Sequence, residues 1–213
     1  MTPGKRLFDI LFSIYLMMFL APVIIVVTWK VWRQKDGPIF YGSERMKTPT
    51  QGFTLWKFRT MAPDPNDTGV TGADKVDRIT PLGAALRKRR LDELPQLWNI
   101  LRGDVSFVGP RPPLRRYVEM YPEIYDQVLQ SRPGVTGLAS LIYAPHEERI
   151  LSACTTPEAT EATYTRICIP RKAALDLLYQ RNRTFWMDIK LISWTTGKFL
   201  PRRIRPDRKG RPL

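Results

Sequence analysis

Three short clusters of residues carry the chemistry available to this sequence. In RKRRLDELPQLWNIL (Arg87–Leu101) two adjacent carboxylates, Asp92 and Glu93, directly follow a basic run and Leu91. Pro95 suits the first turn of a helix, which puts the acidic pair just ahead of that helix's N-terminus. Acidic side chains there complement the helix dipole and need no function to explain them. The preceding Arg87, Lys88, Arg89 and Arg90 make a metal–diphosphate site physically coherent as well. Adjacent helical side chains diverge by about 100°. One carboxylate can therefore face a phosphorus atom while the other holds a hard cation. Mg²⁺ takes one or two carboxylates plus substrate phosphate oxygens.

The second cluster is GPRPP (Gly109–Pro113), a turn whose prolines restrict the backbone around Arg111. Arginine is suited to forked recognition of phosphate, although an exposed arginine on a structural turn has the same pattern. The third is LWKFRTM (Leu55–Met61), where strand alternation places Lys57 and Arg59 on one face and Trp56 and Phe58 on the other. A half-buried amphipathic strand accounts for this equally well.

Composition narrows the partners. The chain has 213 residues, with 34 Lys+Arg against 20 Asp+Glu, a formal charge of +14. Such an excess attracts phosphate-bearing substrates, acidic lipid headgroups or nucleic acid. An anchored nucleic-acid binder leaves the acidic pair and the GPRP turn unexplained, and no nucleic-acid motif appears. Cys154 and Cys168 are too far apart for a CxxC pair and too few for a disulfide framework, which fits a reduced, cytosol-facing setting. His146 is the single histidine, so no His-based zinc site is available.

The elements that must position these clusters begin with an uncharged run, Ile10–Thr28, equivalent to about 28 Å of helix. A cleaved signal peptide has a shorter apolar region and a small-residue cleavage site. A single span is disfavoured because Lys5 and Arg6 precede the run while Lys30, Arg33 and Lys35 follow it, so both ends claim the cytoplasm. Pro22 lies inside the run and crowds the carbonyl of Met18, predicting a kink. A bent helix that enters and leaves by one face satisfies both observations. Trp29 and Trp32 occupy interfacial positions.

Asp36–Met46 and Gly52–Met61 read as strands joined by a turn at Thr48–Gln51. Ala62–Ala73 reads as a mobile loop. Helical periodicity covers Leu82–Leu91, breaks near Pro95, and resumes over Gln96–Leu101, Leu114–Gln130 and Ala173–Phe199. PRRIRPDRKGRPL is a basic tail. The economical organisation is residues 1–35 as membrane helix with basic flanks, 36–200 as one catalytic domain, and 201–213 as tail.

In their order the motifs resemble the small monotopic phosphoglycosyl transferases, or bacterial sugar transferases. KRLFD (Lys5–Asp9), FYGSERM, KFRTM, RITPLGAALRKRRLDELPQLWNILRGDVSFVGPRP, RPGVTGLAS and LDLLYQRNRTFWMDIKLI carry the resemblance over nearly the whole chain. It implies an α/β fold, mostly helical with a few short strands. That fold has a re-entrant membrane helix kinked at Pro22 and a cytosol-facing catalytic domain with interfacial helices. It also implies a Mg²⁺-dependent transfer of sugar 1-phosphate from a UDP-sugar to undecaprenyl phosphate in the bacterial inner membrane, releasing UMP. Carried onto matching positions, Asp92 is the nucleophile and Glu93 assists at the metal or in proton handling. Lys57, Arg111 and Asp176 match active-site positions; Arg59 and Arg87 join them as phosphate-binding candidates from the clusters above. The expected partners are the two substrates and bacterial membrane lipids, with no nucleic acid. The sequence departs from the family pattern at Ala21, where serine usually precedes the membrane proline. It departs again after Gly137, where YAPHEERILSAC replaces an Asn-Gly-Arg pattern.

Overall fold

The computed structural model describes residues 1–63, 78–195 and 197. Among these, helices dominate, and the short strands form two two-stranded sheets. The chain divides into two compact units. One comprises Thr2–Arg45 and Phe53–Asp104; the other comprises Met46–Gly52 and the described residues from Val105 onward, together with Met1.

The first unit opens with α1 (Pro3–Phe19) and α2 (Ala21–Arg33). Thr2 caps α1 by accepting the Lys5 N–H, and Pro3 sits where a missing donor does no harm. The two helices meet at 66°, and no single helix among the described residues is long and apolar enough to cross a membrane. The break falls at Leu20, two residues before the expected kink position. Pro22 therefore lies in the first turn of α2, where its missing N–H leaves no bond of that helix unmade.

The polarity of α1 is inverted relative to a helix of a water-soluble core. Asp9 and Ser13 are buried, and Arg6 on the same stripe donates to the carbonyls of Ile100 and Leu101 at 2.6 and 2.5 Å. Leu7, Leu11, Tyr15, Met18 and Phe19 point outward. The carbonyls that Arg6 caps end α4 (Gln96–Arg102), which stops at Gly103 in the left-handed conformation.

β1 (Phe40–Met46) and β2 (Gly52–Phe58) pair in a hairpin, with Thr48–Gln51 in the connection as expected. The strand pattern stops at Phe58, three residues earlier than the alternation predicts. Beyond it Ala62 donates to Arg78, and Thr80 to Thr60, on either side of residues 64–77. The part of the expected loop beyond Pro63, like the basic tail, lies outside the described residues. α3 (Pro81–Lys88) follows, capped by Thr80, and packs Leu82 and Leu86 with Ile24, Val27, Val31 and Phe58.

In the second unit β3 (Ser106–Val108) runs parallel to β4 (Gly134–Thr136). Their backbones approach so closely that a Cβ on Gly134 would lie 2.1 Å from the Gly109 nitrogen. The glycines of GPRP and RPGVTG are thus two halves of one contact. The helices of this unit are α5 (Arg115–Met120), α6 (Pro122–Val128), α7 (Leu138–Leu151), α8 (Pro157–Thr163), α9 (Ile169–Asn182) and α10 (Phe185–Thr195), of which α7, α9 and α10 share a core with β3. The helical stretch expected over Leu114–Gln130 is split at Tyr121–Pro122, and the C-terminal one at Arg183–Thr184. One core joins α5, α6 and α9 through Tyr117, Val118, Tyr125, Val128 and Ile169. A second joins Val108, Leu138, Tyr179 and Leu191. Cys154 and Cys168 are free thiols.

Candidate active site

The acidic pair sits in a single 3₁₀ turn, Leu91–Glu93, between α3 and α4. The turn exists because Arg90 adopts a left-handed φ of 54°, which reverses the chain immediately after α3. Non-glycine residues enter that region at a cost of roughly 1–2 kcal/mol. Leu91 and Leu94 anchor the turn by packing on the core of Phe58, Leu86 and Val31.

The two carboxylates are held differently. Glu93 Oε1 accepts from Lys57 Nζ at 3.0 Å, and its Oε2 lies 3.3 Å from Arg90 Nη2. Asp92 is 7% exposed. Burial lifts its carboxyl above the ordinary value, Lys57 pulls it down, Glu93 raises it again, and Arg87 lowers it. A buried carboxylate in this balance depends on the cations around it to stay ionised.

Arg87 is placed by a close backbone approach. Gly83, one turn earlier on α3, lies so near residue 60 that an added Cβ would come 2.0 Å from the Thr60 carbonyl oxygen. That contact lets Arg87 Nε donate to Thr60 Oγ1 at 2.9 Å. Lys57 is placed by β2, whose free edge is occupied by Asn99. The Asn99 side chain accepts the Trp56 N–H at 3.0 Å and donates to the Thr54 carbonyl at 2.8 Å and to Asp104 Oδ2 at 3.3 Å.

Arg59 departs from the expected open strand face. The strand has ended, and the side chain is 6% exposed, with Nη2 donating to the Val31 carbonyl at 3.4 Å. Its Nε and Nη1 have no hydrogen-bond partner among the described residues.

Lys57, Arg87, Asp92 and Glu93 are thus gathered in the first unit, with Arg59 near the end of α2. Arg111 and Asp176 belong to the second unit. Arg111 is exposed between buried Pro110 and Pro112, as the rigid-turn reading expects. The Gly109 N–H donates to Thr136 and the Gly134 N–H to Pro110, fixing the turn. Asp176 is buried on α9, one turn beyond Lys172, and its Oδ1 has no hydrogen-bond partner among the described residues. Burial pushes its carboxyl up to about 7, although Lys172 pulls the other way. Burial depresses the Lys172 ammonium, yet Tyr164 and Glu147 outweigh that and leave it above its ordinary value, with Arg111 opposing them. Both carboxylate oxygens of Glu147 accept from Lys172, at 3.1 and 3.0 Å. His146 lies between Arg149 and Arg171 at 2.7 and 3.1 Å.

Sequence reasoning counted Arg90 only as part of the basic run, without its role in the turn, and missed Asn99 and Lys172. Arg90 is one arginine in a run, and its φ has no sequence signature. The other two act through partners distant in the chain.

The sequence matches the bacterial sugar transferase family over residues 2–202. The chain belongs to that family. Among its relatives, the "uncharacterized sugar transferase EpsL" of Bacillus subtilis is 36% identical over 197 residues, covering 92% of this chain and 87% of the relative. The exopolysaccharide production protein ExoY of Sinorhizobium fredii is 39% identical over 63% of this chain and 67% of its own. A UDP-glucose:undecaprenyl-phosphate glucose-1-phosphate transferase of Klebsiella pneumoniae is 32% identical over 91% of this chain but only 39% of its own length. The chain therefore spans about two fifths of that longer relative. The match includes both the turn bearing Asp92 and Glu93 and the GPRP ribbon.

Proposed function

We propose that this chain transfers a sugar 1-phosphate from a UDP-sugar to undecaprenyl phosphate at the cytoplasmic face of the bacterial inner membrane. The reading rests on one observation above the rest: a buried Asp92 beside Lys57 and Arg87, with Glu93 separately engaged by Lys57 and Arg90. A carboxylate kept out of water is a stronger nucleophile than a solvated one, and the flanking cations keep it charged. Asp92 attacks the sugar-bearing phosphorus; the bond from that phosphorus to the UMP oxygen breaks, and UMP leaves. An oxygen of undecaprenyl phosphate then attacks the same phosphorus. The bond to Asp92 breaks, restoring the carboxylate and giving the polyprenyl diphosphosugar. Lys57 and Arg87 neutralise charge on the phosphoryl oxygens as it builds. By family resemblance Arg111 and Asp176 are further active-site candidates, both carried by the second unit.

The donor set fits Mg²⁺. Among the described residues no group of three or more His, Cys, Asp or Glu converges, so a cage supplied wholly by protein is not available. Asp92 and Glu93 provide the one or two carboxylates that Mg²⁺ accepts, its other ligands being water and phosphate oxygens. When bound there it would supply charge neutralisation at the diphosphate. The Arg90–Glu93 pair is exposed on the arginine side and readily exchanged.

The bent α1–α2 pair supports a re-entrant membrane insertion. Its polar stripe turns inward, its apolar side chains turn outward, and basic residues flank both ends. Cysteines introduced near residues 3 and 35 should label from the same face; labelling from opposite faces would overturn the topology.

The covalent route is tested with labelled UDP-sugars in the absence of acceptor. Wild-type enzyme should release UMP in an amount limited by enzyme and carry label on the Asp92 peptide by mass spectrometry. Asp92→Asn should do neither while still inserting into membranes. Label on another residue, or turnover by Asp92→Asn, would sink the assignment.

A further inference from the structure

Arg59 presents a problem that the donor reaction does not solve. A guanidinium is always charged, and one removed from water requires a counter-charge or a full set of acceptors. Here the side chain is 6% exposed, and its one hydrogen bond among the described residues is a weak one to the Val31 carbonyl at 3.4 Å. Nε and Nη1 are buried without hydrogen-bond partners among the described residues. Among the described residues no carboxylate of the same unit forms an ion pair with it; Glu93 is engaged by Lys57 and Arg90, and Asp104 by Asn99 and Arg102. Capping the end of α2 accounts for Nη2 only.

Its surroundings indicate the kind of anion. Val31 lies in the last turn of α2, where Trp29 and Trp32 are exposed and Arg33 lies over the Trp29 ring at 4.8 Å. On the re-entrant reading, that turn is where the chain leaves hydrocarbon for the headgroup layer. Gly37 lies on the other side, with a φ of 132°; a Cβ there would lie 3.9 Å from Nη1. In the chain, Arg59 stands two residues after Lys57, so a group bound to it is near the catalytic turn. Yet the cations that act on Asp92 are Lys57 and Arg87. The donor diphosphate belongs with those two, which leaves Arg59 for a second phosphate arriving from the membrane side.

We infer that Arg59 binds the phosphate of the polyprenyl acceptor and aligns it for the second step. This rests on the two-step reading above. A planar guanidinium with unused donors suits a phosphate monoester, and filling it would relieve the buried charge only when acceptor is present. Phospholipid headgroups carry phosphate too, so the test separates the two sources.

The test uses full-length protein in detergent without phospholipid, comparing wild type, Arg59→Gln and Arg59→Lys. UMP release and enzyme labelling without acceptor report the first step; discharge of label by limiting undecaprenyl phosphate reports the second. Losing a charge-assisted hydrogen bond should slow discharge by roughly 10- to 100-fold in Arg59→Gln while the first step changes by less than about threefold. Arg59→Lys, which keeps the charge without the fork, should fall between and covers the case in which the glutamine variant does not fold. Equal losses in both steps, or none, would overturn the inference. So would unchanged discharge accompanied by weaker binding to anionic vesicles, which would assign the site to phospholipid. If wild-type enzyme carries no label, the covalent route fails by itself. Arg59 is then judged by steady-state KM, which should rise for undecaprenyl phosphate and not for the UDP-sugar.

Discussion

The side-chain oxygen of Asn99 accepts the backbone N–H of Trp56 at 3.0 Å, although 43 residues separate them in the chain. With its amide on the Thr54 carbonyl, Asn99 stands in for a neighbouring strand on the edge of β2. It is 1% exposed, so the Asn99 end of each bond is buried and cannot turn to water instead. Because Asn99 lies on α4, just after the acidic turn, it ties that turn to the strand carrying Lys57.

Replacing Asn99 with Ala should therefore lower kcat more than it raises KM for the donor. If Asn99 acts through Lys57, a double-mutant cycle with Lys57→Met should show coupling of about 1–3 kcal/mol rather than additive losses. Asn99→Asp keeps the acceptor for Trp56 but loses the donor to Thr54 and puts a second carboxylate beside Asp104. It should be no better than Ala.

Gly83→Ala should destabilise the first unit and lower activity together. The added methyl would meet the Thr60 carbonyl, a backbone atom that cannot swing away. Overpacking of this kind typically costs about 1–3 kcal/mol. Thermal unfolding in detergent, with and without UDP-sugar, measures it; an unchanged midpoint would contradict the close approach.

Arg90 separates backbone from charge. Arg90→Gly relieves the left-handed φ but gives up a half-exposed pair with Glu93, so stability should stay within about 1 kcal/mol of wild type. Arg90→Val, with a branched Cβ at the same φ, should be clearly less stable than Gly in the same melts.

Asp176 predicts a pH dependence. Its folded pKa is raised from 3.8 to about 7 by burial, so between those values the native state holds more protons than the unfolded chain. Stability contributed at this position is therefore lost as pH rises from about 4 to about 7, and the loss is complete above that. Asp176→Asn should remove this decline and melt higher than wild type at pH 8, with little difference at pH 4. Parallel curves for the two proteins would show that the carboxyl is not protonated in the fold.

Some of this architecture is dictated locally. The acidic pair ahead of Pro95, the hairpin turn at Thr48–Gln51, the outward-facing apolar residues near the N-terminus and the clamped Arg111 follow from proline geometry, turn chemistry and charge placement within a few residues. Helix breaks at Leu20 and at Tyr121–Pro122 are less legible, because proline tolerates the first turn of a new helix as readily as it kinks an old one.

The sequence by itself determined the family, the acidic turn and the basic residues available to meet phosphate. Tertiary structure alone decided which of those basic residues face Asp92 and which is buried. Alternation put Arg59 beside Lys57 on one face; the end of β2 at Phe58 and the packing of α2 turned it inward instead. Asn99, Gly83 and Lys172 carry no local signal, since each acts through a backbone or side chain brought near only by folding. Residue type limits which interactions a side chain can make, and three-dimensional proximity selects the ones it does make.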